Sequence, residues 1–219
     1  MTFLEFTEGP LWYAAAAAFV VGVVWRFIGI IAFGRKPDLS TPRASAQTGA
    51  VRSIFLHFVP HGGFASKTGF HAIAGYLFHI GLFVLLAFAV PHIVFISEEI
   101  LGLPAGVMAW GGLSHWGFIV VAEIAFLGII LLWIRRFTDP VSRMISDADD
   151  YIGTVLTFLV MLTGCFALGE SSEALRAIHM LMVDAWLIYF PFSRLMHAFT
   201  FVLSRGYTGA LFGRRGVTP

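Results

Sequence analysis

Residues 176–203 read RAIHMLMVDAWLIYFPFSRLMHAFTFVL. Beyond Arg176, the charged side chains and histidines in this run are His179, Asp184, Arg194 and His197, and most of the rest is apolar or aromatic. The run is longer than the roughly 20 apolar residues that cross a ~30 Å hydrocarbon core. Its two histidines lie eighteen residues apart. On one continuous helix that spacing is about five turns at ~3.6 residues per turn, or roughly 27 Å along the axis. Read this way, both imidazoles point to the same side, one near each membrane face. An ionisable side chain inside a membrane is costly without a partner, which makes it a functional candidate.

The remainder of the chain fits a membrane setting. Hydrophobic residues make up 58% of the 219 and charged residues 12%, with a mean hydropathy of +0.84. Soluble domains are about 25% charged. The net charge of +1 says nothing about partners, and no nucleic acid is expected among them. Long apolar runs fall at about 11–33, 70–97, 113–134, 151–169 and 176–203, with a polar loop at 34–69. The expected fold is all-α, a single bundle of five transmembrane helices over 1–219. The start MTFLEFTEGP has acids and no basic segment, which reads as no cleaved signal peptide.

Charge placement sets the expected orientation. Arg35, Lys36, Arg43, Arg52 and Lys67 lie in the first loop, Arg135, Arg136 and Arg143 after the third span, and Arg205, Arg214 and Arg215 in the tail. With Arg26 and Arg194, every basic residue except Arg176 falls on one side, and Glu5, Glu8, Glu98, Glu99, Glu170 and Glu173 fall on the other. Basic residues mark the cytoplasmic side. The N-terminus is therefore expected outside and the C-terminus in the cytoplasm, in an inner (cytoplasmic) membrane.

Histidines supply the candidate chemistry. His79 lies in the inner half of the second span, at the expected depth of His197, with Gly75 one turn before it and Gly81 two residues after. His115, at the start of the third span, has the expected depth of His179, and His92 ends the second span. Paired imidazoles at matched depth point to haem iron. The single cysteine, Cys165, excludes a Cys-x-x-Cys-His attachment and a four-cysteine cluster within the chain. His57 and His61 are four apart, but Pro60 between them opposes a helical metal clamp, and an interfacial or partner-docking segment is the better reading. Glu123 and Asp184 lie deep in their spans, where a proton path competes with plain hydrogen bonds between helices. Asp147, Asp149 and Asp150 suit a helix N-terminus.

YFPFSRLMHAF at 189–199, with a histidine eighteen residues before His197, resembles the last helix of the respiratory nitrate reductase gamma subunit family. YLFHIGLF at 76–83 is similar to that family's second helix, and RRFTDPVSR at 135–143 resembles its turn between helices three and four. The family includes cytochrome b subunits of sulfite-reductase-associated and heterodisulfide-reductase-like complexes. The resemblance implies two haems b, each held between the second and fifth helices. The inner haem would take His79 and His197. The outer would take His179 and a histidine where this chain has Ala89, which leaves His115 and His92 as alternatives. On a straight helix His92 lies about 220° around from His79, at ~100° per residue, unless Pro91 bends it. Arg194 is placed to reach a haem propionate.

Two more departures lie on the outer side. The loop GESSEAL is short, and EEILGLPAGVMAWGG lacks the lysine that such subunits can carry near the quinol pocket. Both weigh against nitrate as the final acceptor. The expected function is electron transfer between quinone/quinol and a cytoplasmic iron–sulfur subunit with further redox subunits, in either direction. The rivals are a haem-free membrane anchor and a proton-coupled transporter using Glu123 and Asp184.

Overall fold

The computed structural model describes residues 1–34, 38–60, 62–168 and 172–217. Arg35, Lys36, His61 and Glu170, which entered the charge placement and the His57/His61 spacing, lie outside them. The described helices are α1 (Phe3–Phe6), α2 (Trp12–Ala32), α3 (Ala46–Leu56), α4 (Ala65–Phe88), α5 (Val90–Phe95), α6 (His115–Thr138), α7 (Pro140–Ile145), α8 (Ala148–Ala167), α9 (Glu173–Tyr189) and α10 (His197–Arg214). A π turn over Thr7–Leu11 joins α1 to α2. No strand occurs among the described residues. Five helical stretches are long and apolar enough to cross a membrane: Phe3–Ala32, Gly62–Phe88, His115–Thr138, Ala148–Ala167 and Glu173–Phe192. The chain is thus all-α, with the five spans of a multi-pass membrane protein.

Side-chain caps set several helix starts. Ser114 accepts from Gly117 N at the head of α6, and Asp139 accepts from Ser142 N at the head of α7. Asp147 and Asp150 form a reciprocal capping box on α8, as the three aspartates led us to expect.

The chain divides into two compact units, Met1–Trp12 with Phe70–Trp186, and Tyr13–Gly69 with Leu187–Pro219. In the first, Leu85, Ala122, Ala125 and Met161 form a buried cluster from α4, α6 and α8. Helices α4 and α6 pack backbone to backbone. A Cβ on Gly81 would lie 2.7 Å from that of Ala125, and one on Gly128 would lie 2.7 Å from Phe78 Cα. Close approach through small residues is how membrane helices gain packing contact. Gly81 is therefore used for helix packing and not for admitting a cofactor. Trp186 Nε1 donates to Thr157 Oγ1 at 3.0 Å, which ties α9 to α8, and Arg176 pairs with Glu8.

In the second unit α3 lies on α10 through a seam of small residues. A Cβ on Gly49 would meet the Gly209 carbonyl oxygen, and Gly213 Cα at 2.7 Å. Asp38 pairs with Arg215 at 3.3 Å, and Arg43 N donates to Arg214 O at 2.7 Å. Phe19 packs edge-on against Phe190, centroids 5.4 Å apart.

Two expected spans are broken. The run 176–203 is not one helix. Helix α9 ends at Tyr189, 3₁₀ turns follow over Phe190–Phe192 and Arg194–Met196 with Ser193 extended between them, and α10 begins at His197. Pro191 causes this, since it has no N–H and its ring clashes with the carbonyl four residues back. The five-turn, same-face relation of His179 and His197 therefore does not hold. The run 70–97 breaks at Ala89, whose φ of −68° and ψ of 127° are extended.

Candidate functional site

The break at Ala89 re-aims His92. A proline at position 91 cannot complete the ladder to Ala87. The carbonyls left over find other donors. Trp110 Nε1 donates to Ala87 O at 2.6 Å, and Leu113 N donates to Phe88 O at 2.8 Å. Leu85 O accepts from Ala89 N at 3.1 Å and from His92 Nδ1 at 3.1 Å. Every one of these partners lies at or beyond the break. The straight-helix placement that turns His92 away from the face of His79 does not apply.

His92 meets His179. Their ring centroids are 6.3 Å apart and their planes differ by 22°. His179 projects from α9 onto α8, where a Cβ on Gly164 would stand 3.1 Å from His179 Cε1. Thr163 Oγ1 lies 3.2 Å from His179 Nδ1. That hydroxyl donates to Leu159 O at 2.8 Å, so its oxygen accepts from the ring. Three carbonyls do the same for the other histidines. Gly75 O accepts from His79 Nδ1 at 2.7 Å, Leu85 O from His92, and Arg194 O from His197 Nδ1 at 2.7 Å. A carbonyl oxygen only accepts, so the hydrogen-bond network assigns the proton to Nδ1 and the lone pair to Nε2 in all four rings. An anchored Nδ1–H is what fixes tautomer and ring orientation in metal-ligating histidines.

The other sequence candidates separate. His115 is the first residue of α6 and lines a cavity of about 180 Å³ with Ala89, Val90, Leu113, Ser114, Phe118 and Leu168. The structure thus brings His92, and not His115, against His179. A Cβ on Gly75 would meet nothing within 4 Å, so this glycine leaves open space one turn from His79. Arg194 contributes its carbonyl to His197, from the 3₁₀ turn before α10. His79 and His197 belong to different units. His57 ends α3 and bonds to Ser53 O at 2.8 Å, and α3 stops short of Pro60 as its position requires. His71 is exposed. Among the described residues no three His, Cys, Asp or Glu converge on one point, so the candidate chemistry is that of pairs.

Neither intramembrane acid makes an interhelical hydrogen bond among the described residues. Asp184 is 1% exposed on α9 and both its carboxylate oxygens lack a partner, whereas Glu123 is exposed on α6.

Sequence reasoning missed Thr163 and Gly164, which lie against His179, and Trp110, which takes the Ala87 carbonyl at the break before His92. The one signal available was helical spacing. Thr163 and Gly164 sit near the C-terminal end of α8, where the histidine early in the next helix arrives.

No protein-family profile matches the chain. A protein of Nitratidesulfovibrio vulgaris strain Hildenborough, described only as "Protein", is similar to it, with 28% identity over 219 residues covering 93% of this chain and 91% of the relative.

Proposed function

We propose that this chain is a membrane b-type cytochrome subunit that carries electrons between the quinone/quinol pool and a cytoplasmic iron–sulfur partner. The observation that carries the reading is the His92–His179 pair, 6.3 Å between centroids, with each Nδ1 held by an acceptor. Two imidazoles sharing one metal at the ~2.0–2.1 Å of metal–imidazole bonds have centroids roughly 6 Å apart. The residues fit the group on this ground. His92 and His179 would hold an outer haem b, and the family resemblance, not this geometry, assigns an inner one to His79 and His197. Haem b, when bound, supplies a one-electron carrier whose potential the surrounding protein tunes.

The chain's own residues do the rest. Leu85 O and Thr163 Oγ1 orient the outer pair, and Gly75 O and Arg194 O orient the inner histidines. Each haem would be held by two histidines, and its chemistry would be electron transfer. Open space at Gly75 suits a flat macrocycle beside His79. Arg194 is assigned a propionate contact. Basic residues concentrated on one side support an N-out, C-in orientation in the inner membrane, and the same basic loops offer a docking surface for the partner. Ala89 in place of a histidine, the short GESSEAL loop and the lysine-free outer loop favour a relative of the nitrate reductase gamma subunits that serves another oxidoreductase, such as a sulfur or heterodisulfide complex.

The test is a dithionite-reduced spectrum of the purified chain. A b-type spectrum lost in part with His179→Ala supports the reading. A colourless protein returns it to a haem-free anchor or a transporter.

A further inference from the structure

Among the described residues Asp184 is the only buried acid, and neither of its carboxylate oxygens has a hydrogen-bond partner. Helix geometry explains why. On α9, His179 and Trp186 lie seven residues apart and both meet α8, the first at Thr163 and Gly164, the second at Thr157. Ala177 and Asp184, also seven apart, form a second and buried line. Asp184 follows His179 by five residues, about 140° around the helix at ~100° per residue and ~7.5 Å along it at ~1.5 Å per residue. The carboxyl is therefore turned away from the α8 hydroxyls, in the middle of the Glu173–Phe192 span.

A buried carboxylate with no counter-charge is costly, and intramembrane acids of this kind mark proton relays. Against α9 the first unit places the π turn with Glu8, α5 with His92, and α8 with Asp149, Asp150, Tyr151 and Cys165. Glu8 pairs with Arg176, His92 faces His179, and the acids of α8 lie in its first turn. Among the described residues no charged or titratable side chain acts on the Asp184 carboxyl. We propose that Asp184 is a redox-linked proton site, which takes up a proton when the outer haem is reduced and releases it on oxidation. This rests on the haem reading above. An oxidised haem centre held by two neutral imidazoles carries positive charge, which in a low-dielectric surrounding favours the carboxylate. The added electron cancels that charge, and the carboxylate then binds a proton. The step balances: one electron comes from the reductant, a quinol or dithionite, and one proton from solvent water forms an O–H bond on the carboxylate. Coupling of this kind is reciprocal, so the bound proton also favours reduction.

The experiment is a potentiometric titration of the full-length chain in acidic, neutral and alkaline buffers, with the outer haem identified as the one lost in His179→Ala. Its midpoint potential is expected to fall as pH rises. Asp184→Asn, which stays neutral, should keep the native acidic value throughout, and Asp184→Glu should restore the fall. Reduced-minus-oxidised infrared spectra of the native chain should gain a carboxylic-acid C=O band that moves on exchange into D2O. A native potential independent of pH, or no such band in the native chain, would overturn the proposal while leaving haem binding intact. So would a pH dependence unchanged in Asp184→Asn, which would belong to haem propionates, or a potential that follows sodium concentration in place of pH. A native chain without haem would overturn the underlying reading and this proposal together.

Discussion

Replacing either His92 or His179 by alanine removes one of two imidazoles from a pair that no third His, Cys, Asp or Glu joins among the described residues. We expect haem content measured as pyridine haemochrome to fall by about half in each variant, and to be unchanged in His115→Ala, since His115 lines a cavity instead. Thr163→Val deletes the oxygen that accepts from His179 Nδ1. Loss of such an outer-shell partner costs about 10–100-fold in affinity, read as faster haem loss to an apo-globin acceptor. Outside the membrane-spanning segments, hydrogen bonds from the Ser40 side chain and backbone hold the Asp38 carboxyl at about 2, with Arg215 adding to the effect. A depressed folded-state value stabilises the fold above the ordinary carboxylate range. The contribution disappears as pH falls through about 2. The stability difference between the native chain and Asp38→Asn should therefore close on acidification, as followed by thermal melts in detergent.

Helices carry the next set of consequences. At Pro91 the break turns His92 toward His179, so Pro91→Ala, which lets α4 run on, should cost the outer haem while sparing the inner one. Sequential reduction monitored by absorbance separates the two. At the α3–α10 seam, Gly209→Val places a side chain into Ser53 and the Gly49 carbonyl. Overpacking of this kind costs about 1–3 kcal/mol, visible as a lower melting temperature. The five spans were legible because apolar length is a one-dimensional property, and the capping aspartates because a cap is local. The breaks were legible only in part. Pro191 and Pro91 stood in view, but whether proline kinks or ends a helix depends on who receives the freed carbonyls. For Pro91 the answer lies with Trp110 and Leu113, about twenty residues downstream. The choice between His92 and His115 was hidden for the same reason.

For the molecule as a whole, the central claim is that imidazole pairs from separate helices hold iron inside the membrane. The arrangement of acids adds to the picture, since Asp184 is buried without a partner on the helix of His179, and Glu123 faces outward. Spectra of the purified native chain and of His92→Ala and His179→Ala, each with haem and protein quantified, test the claim most directly. The account predicts a reduced b-type spectrum in the native chain and a loss of about half its intensity in each variant. No haem in the native chain, or full haem in both variants, would contradict it.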